Sequence, residues 1–224
     1  DLANDLGNLL SRTVAMVIKY FGGTLPAERE HDALDDELIA MASSLRETYA
    51  GYMDNFGTQQ ALIEVFKVIS RANKYIDETA PWILAKDESK RARLATVLYN
   101  LLETLRITVT LLLPFMPDSC AKAFAQIGAA PEQTTWDNAA VWGVLPADVT
   151  VHKGETLFPR IDVDKEIEAL NTLIPNPMEQ KAEEKKEKKE MWTVQYRQSV
   201  NLQNMRKMST VLRAISKRRD ENEV

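Results

Sequence analysis

The sequence is poor in the residues that hold small folds together through covalent bonds or metal ions. Its 224 residues include one cysteine and two histidines. The single cysteine, Cys120, cannot form an internal disulfide, and no Cys/His cluster has the spacing of a zinc site. We therefore expect no metal centre and a cytoplasmic location. We interpret Cys120 as a small core residue rather than a nucleophile.

Long hydrophobic runs and glycine-rich phosphate loops are also missing from the sequence. The most apolar run, residues 107–116, is too short to span a bilayer, so we expect no membrane association. No phosphate-binding or dinucleotide-binding motif occurs, and we predict no catalytic residue and no bound cofactor. The chain begins at Asp1 within a helical pattern and without an initiator methionine. This start favours a fragment of a longer protein.

Charge is unevenly distributed along the chain. Residues 175–224 hold 12 Lys and Arg against 8 Asp and Glu, a balance of +4, whereas the rest holds 16 against 25, a balance of −9. An acidic body argues against a nucleic-acid coat. It still allows a local binding site, because phosphate contacts depend on the charge of one face.

The acidic body has the apolar period of helices. Apolar residues recur about every 3.6 positions, and glycines and prolines end each run. These signals predict an all-α fold, a helix bundle, followed by an irregular wrap over residues 128–162 and one more helix. The predicted bundle helices cover residues 2–20, 35–54, 59–75, 89–113 and 118–127.

The basic tail is predicted to be a separate part of the chain. We divide the sequence into a helical bundle (1–171), a Pro-containing and then Glu/Lys-rich linker (172–190), and a basic amphipathic helix (191–224). The tail has a short heptad seam that favours a coiled coil, self-association or a protein partner. Its residues are Met205, Met208, Leu212 and Ile215.

Two segments of the body carry side chains suited to an unpaired nucleobase. In the segment NDLGNLLSR, Asn4, Asn8 and Arg12 recur at i, i+4 and i+8 and so share one helix stripe. In the segment NKYIDETAPW, Pro81 ends a helical pattern and places Trp82 just past the helix end. Amide and guanidinium groups can read the edge of a base, while an indole ring stacks on its face.

These segments also resemble a known family, the C-terminal anticodon-binding domain of bacterial methionyl-tRNA synthetases, which are class I enzymes. The matching words are DLANDLGNLLSR at Asp1, NKYIDETAPW at Asn73, LLLPFMP at Leu111 and LFPRID at Leu157. They occur in the family's order and cover roughly residues 1–170. Four words in order make the resemblance specific.

The resemblance implies a partner and a role for each site residue. The partner is a tRNA anticodon loop, in which Asn8 and Arg12 hydrogen-bond the first anticodon base, a cytosine. Trp82 stacks against the anticodon, and Asn4 supports this shell or touches the next nucleotide. The parent enzyme would be a methionine-tRNA ligase that uses ATP. This fragment shows neither of the two signature loops of that chemistry.

Other interpretations of the same residues stay open at this point. Without the resemblance, Asn8 and Arg12 would be exposed polar residues and Trp82 a core aromatic. Trp136 and Trp142 are interpreted as packing residues. The rival to tRNA recognition is an engineered fusion in which the helical body is a carrier and residues 191–219 belong to another protein.

Overall fold

The computed structural model describes residues 2–159, 161–173 and 185–195, and positions 198, 201, 203, 204, 206, 207, 209 and 210. Compactness divides the chain into two units, Asp1–Pro159 and Arg160–Val224. The described residues form helices and no strand, and the one backbone bridge joins Thr24 to Thr150. The all-α prediction is confirmed.

The first unit is a bundle of six α-helices. A π-helical segment, Leu2–Gly7, precedes the first of them, and short 3₁₀ turns lie at Glu88–Lys90, Pro131–Gln133 and Asp137–Ala140. The helices are α1 (Asn8–Phe21), α2 (Leu34–Asp54), α3 (Thr58–Thr79), α4 (Pro81–Leu84), α5 (Arg91–Leu112) and α6 (Pro117–Ile127).

Glycine and proline set several helix ends, as the sequence indicates. Gly22 ends α1 with a φ of 68°, and its N–H donates to the carbonyl of Ile18. Pro117 starts α6, and Gly128 ends it at a φ of 70°. A left-handed residue at the end of a helix satisfies carbonyls that have no partner within the helix.

Helix α5 forms the centre of the bundle, and 19 of its residues are buried, including Leu98, Leu102 and Leu105. In the part of the chain that the structure describes, the helical stretch Glu88–Leu112 alone is long and apolar enough to cross a membrane by length and composition. Its apolar window is 94% buried inside the bundle, as expected for the core helix of a globular protein.

A buried polar cluster ties the centre of the bundle together. Arg93 of α5 donates to both carboxylate oxygens of Asp35, at 2.7 and 2.8 Å, and the Tyr75 hydroxyl of α3 donates to the same carboxylate at 2.5 Å. Burial raises the pKa of Asp35, but the hydrogen bonds from Arg93 and Tyr75 outweigh it, so the net shift is downward. The cluster fixes the start of α2 against α3 and α5.

A second buried pair attaches the irregular wrap to α5. Glu103 and Arg106 are both fully buried and are joined at 2.7 Å. The Glu103 carboxylate accepts from the backbone N–H groups of Gly143 and Leu145, and Arg106 donates to the carbonyls of Gln133, Asn138 and Val141. This ion pair therefore anchors the backbone of the wrap to α5 at five points.

The structure places the cysteine and two of the tryptophans of the body in different surroundings. Cys120 is buried, and burial raises its pKa to about 11, which confirms a core thiol. Trp142 packs against the core, whereas Trp136 is 47% exposed. The ring of Trp136 lies over the Arg46 guanidinium, 5.4 Å from its centroid, and near Tyr49.

The second unit begins with a helix, α7 (Val163–Leu173), that has no buried residue. Residues 185–195 are also helical and mostly exposed. The predicted heptad seam lies outside the described residues and stays a prediction. Its members are Met205, Met208, Leu212 and Ile215.

Candidate nucleic-acid interface

The polar stripe of the first helical segment faces solvent, as its spacing predicts. Asn4 and Asn8 are exposed, whereas Leu6, Leu9 and Leu10 between and after them are buried. The backbone differs from the expected uniform α-helix, because Leu2–Gly7 is π-helical and the α-helix starts only at Asn8. π-helical turns are rare and occur often at functional sites.

An open groove brings Asn4 and Asn8 together with the end of the wrap. The groove has a volume of about 510 Å³. Gly7 forms part of it, and a side chain at this position would lie 3.2 Å from the Phe158 ring. The glycine therefore lets the ring pack against the π-helical segment. The residues that line the groove are Ala3, Asn4, Gly7, Asn8, Ser11, Thr156 and Phe158.

Arg12 does not line this groove, and its side chain contacts α3. Its guanidinium donates to Asp77, in the last turn of α3, at 3.4 Å. The side chains are 34% and 69% exposed, so the ion pair contributes little to stability. Its consequence is positional, because it holds the charged end of Arg12 beside the C-terminal end of α3.

Trp82 lies immediately beyond that helix end. Ala80 ends α3 with a φ of 43°, Pro81 is buried, and the ring of Trp82 is 43% exposed. The expectation that Trp82 follows a helix end is correct for α3. The structure adds that Pro81 starts the short helix α4, which carries the tryptophan. Proline suits the first position of a helix, since its missing N–H would have no partner there.

Two further contacts fix the end of α3 beneath Trp82. Arg71 joins Glu37 of α2 at 2.7 Å and Glu78 at 3.0 Å, and its side chain is 9% exposed. Tyr75 belongs to the buried polar cluster with Asp35. Arg12 and Trp82 therefore both lie at the C-terminal end of α3, Arg12 through its contact with Asp77 and Trp82 just past the end in sequence.

The sequence predicted four site residues but did not indicate the contacts that relate them. In the structure Asp77 holds Arg12, and Glu78 holds Arg71. Arg12 and Asp77 are 65 positions apart, so no local pattern could have indicated their pairing. Within the described residues, no group of His, Cys, Asp and Glu could hold a metal ion.

Residues 25–172 match the family described as the anticodon binding domain of methionyl tRNA ligase. The chain belongs to this family. A methionine–tRNA ligase of Caldanaerobacter subterraneus is 52% identical over 189 residues, which are 84% of this chain and 29% of that protein. The methionine–tRNA ligase of Clostridium tetani is 53% identical over 173 residues, 77% of this chain and 27% of that protein.

Solved structures of the family agree with this assignment. The apo form of Mycobacterium tuberculosis methionyl-tRNA synthetase superposes with a TM-score of 0.67 at 35% identity, covering 72% of this chain and 33% of that one. The structure of that enzyme bound by methionyl-adenylate gives a TM-score of 0.66. The anticodon-binding domain described here thus spans less than a third of the length of its curated relatives.

The extent of these matches bears on the predicted fusion. A match over 84% of the chain extends beyond the helical bundle into the predicted linker (172–190). The comparisons give no support to the predicted fusion, in which residues 191–219 would belong to another protein. The three-part division at residues 171 and 190 stays a prediction. The family match ends at residue 172, whereas the first compact unit ends at Pro159.

Proposed function

We propose that this anticodon-binding domain binds the anticodon loop of a methionine-accepting tRNA. Asn8 and Arg12 read the first anticodon base, Trp82 stacks on the loop, and Asn4 contacts the neighbouring nucleotide. The observation that carries the proposal is the ion pair between Arg12 and Asp77. This ion pair brings α1 to the C-terminal end of α3, just before Trp82.

The chemistry of the reading pair suits cytosine. Cytosine offers an amino donor beside two acceptors, its ring nitrogen and its carbonyl. The Asn8 amide can donate and accept, and Arg12 can only donate, so together they can satisfy all three groups. Uracil presents a donor and an acceptor in the opposite places, so it would leave polar groups of the site unpaired.

The placement of Trp82 suits stacking on a base. Ala80 and Pro81 restrict the backbone before it, and the end of α3 is held by Arg71 and Tyr75. A ring that is already ordered and half exposed loses little freedom when a base stacks on it. An acidic body with a local aromatic and amide site also fits recognition of a few splayed bases better than tracking of a long backbone.

In the complete enzyme the domain would act as a recognition module. The proposal places ATP-dependent methionine activation and transfer in the part of the ligase that this chain does not span. The domain would position the bound tRNA for that distant reaction in the cytoplasm. Its own lack of catalysis stays a prediction.

Trp82→Ala tests the proposal with a matched control in the same chain. Trp136 is exposed to a similar degree, 47% against 43%, but it packs on Arg46 and Tyr49. We expect Trp82→Ala to weaken binding of a methionine-type anticodon stem-loop by ~1–3 kcal/mol, and Trp136→Ala to leave binding unchanged. Fluorescence-anisotropy titration of labelled stem-loop measures both.

Either of two results would contradict this assignment. Equal affinities for the wild type and Trp82→Ala would remove the stacking role. A loss for Trp136→Ala as large as that for Trp82→Ala would place the RNA on a different face. Circular dichroism of each variant shows whether the bundle remains folded.

A further inference from the structure

We propose that Asn73 is a positioning residue for base discrimination. Its side-chain amide holds the π-helical segment Leu2–Gly7 against α3. That segment runs directly into Asn8, which contacts the first base, and it orients Asn4 relative to Asn8. The proposal rests on the proposed function and deepens it. It names a residue that touches no RNA but determines how well the site distinguishes one base from another.

The contact itself joins two elements that are distant in sequence. The Nδ2 group of Asn73 donates to the carbonyl of Asp5, inside the π-helical segment, at 3.3 Å, and to the carbonyl of Ile69, one turn back in α3, at 3.2 Å. Because both partners are carbonyls, the nitrogen rather than the oxygen of the amide must face them. The side chain therefore joins α3 to a backbone carbonyl of the π-helical segment Leu2–Gly7.

The arrangement of the Asn73 amide leaves one buried polar atom without a protein partner. The Oδ1 atom of Asn73 is buried and accepts no hydrogen bond from the protein. An unpaired buried acceptor destabilises a fold, and an apolar side chain of similar shape would avoid the penalty. Stability alone therefore does not account for asparagine at this position, whereas a requirement for its donor does.

The π-helical turn has a direct effect on the reading residues. A π turn holds more residues than an α turn, so the rotation from Asn4 to Asn8 is smaller than in a continuous α-helix. In the observed backbone both side chains line the same groove beside Thr156 and Phe158. A return of the segment to α geometry would keep Asn4 and Asn8 on one stripe but would change the angle between their side chains.

Asn73 and Asp77 act from one face of α3. They are four residues apart, which is about one helical turn. Asn73 contacts Asp5 of the π-helical segment, and Asp77 contacts Arg12 of α1. The same helix leads through Ala80 and Pro81 to Trp82. Helix α3 thus contacts the polar stripe near both of its ends, at Asp5 and at Arg12, and also leads to Trp82.

The test compares Asn73→Leu with a matched asparagine elsewhere. Leucine has a similar shape and removes the donor together with the unpaired acceptor. Asn55→Leu is the control, because Asn55 also donates from Nδ2 to a carbonyl, that of Gly51 at 2.8 Å, but at the end of α2. The full chain is titrated with two stem-loops that differ only in the first anticodon base, cytosine or uracil.

We expect Asn73→Leu to reduce the ratio of the two affinities by about fivefold, the effect of one hydrogen bond, in a domain that remains folded. The backbone amide resonances of residues 4–8 should shift, while those of α5 stay in place. Asn55→Leu should change neither the ratio nor these resonances. If Asn73→Leu unfolds the domain, Asn73→Ala serves in its place.

Two outcomes separate this inference from the proposed function. A wild-type chain that discriminates, together with an Asn73→Leu variant that is folded and discriminates equally, would overturn the inference alone. A wild-type chain that binds both stem-loops equally would overturn the proposed function and the inference together.

Discussion

At the scale of single residues, the bundle depends on a few buried charges, and the carboxylate of Asp35 takes its side-chain partners from two other helices. Asp35 is fully buried and accepts hydrogen bonds from Arg93 and Tyr75. Removing one member of such a pair is costly because it leaves a buried charge uncompensated. The neighbouring Asp36 pairs with His31 at the surface, where both side chains are mostly exposed.

Asp35→Asn should therefore destabilise the domain by about 3–5 kcal/mol at pH 7. Asp36→Asn should change stability by less than about 1 kcal/mol. The pKa of Asp35 is lowered in the folded state. Its stabilisation is therefore complete above the unfolded pKa, about 3.9, and is lost as the pH falls through the lower folded value.

Urea unfolding at pH 7 and at pH 3 measures this prediction. The difference between the wild type and Asp35→Asn should be largest at pH 7 and should shrink in acid. A difference that is equal at the two pH values, or an Asp36→Asn variant as unstable as Asp35→Asn, would contradict the role given to the buried carboxylate.

At the scale of elements, one glycine joins the end of α6 to the wrap. Gly128 has a φ of 70°, and a Cβ added there would lie 1.9 Å from the Thr150 carbonyl oxygen. Gly51 lies within α2, and a Cβ added there meets no atom within 4 Å. An alanine would therefore be strained at position 128 and would fit without a contact at position 51.

Gly128→Ala should lower stability by more than about 1 kcal/mol, through backbone strain and the contact with Thr150. Gly51→Ala should raise it by about 0.5–1 kcal/mol, because alanine favours the helix interior. Thermal unfolding of the two variants tests both signs. Two variants with the same change in melting temperature would show that these backbone positions were misassigned.

The helices themselves could be predicted from the sequence because their signals are local. Residues 35–54 were predicted and Leu34–Asp54 is observed, and residues 118–127 became Pro117–Ile127. The π-helical start of the first helix could not be predicted, since it is held by Asn73 of α3. Pro81 indicated the end of α3 correctly, but only the structure shows that it also begins α4.

The candidate site divides in the same way. Asn4, Asn8, Arg12 and Trp82 could be proposed from residue type, spacing and a family resemblance, and the structure places the four on exposed or half-exposed positions. Their mutual arrangement depends on Asp77, Asn73 and Phe158. Each of these acts through a contact between segments more than sixty residues apart, and such contacts leave no periodic pattern in a sequence.

At the scale of the whole molecule, the candidate site lies entirely within the first unit, Asp1–Pro159. A chain stopped at Asn171 retains this unit. We expect it to bind the methionine-type stem-loop within about twofold of the full chain, because phosphate contacts of the basic tail would add only a salt-dependent, sequence-independent contribution. Parallel titrations at 50 and 200 mM salt test this expectation.

A large loss of affinity at both salt concentrations would show that residues 172–224 complete the site. Size-exclusion chromatography with light scattering of the same two chains tests the predicted association of the tail. A full chain that is larger than one copy, beside a monomeric shortened chain, would support an association seam.

The central claim is that this domain reads the first anticodon base. The most direct measurement is the ratio of wild-type affinities for two stem-loops that differ only in cytosine or uracil at that position. A complementary pair of hydrogen-bonding side chains discriminates by about 1–3 kcal/mol, so we predict tighter binding of the cytosine loop by about fivefold or more. Equal affinities for the two loops would contradict the account.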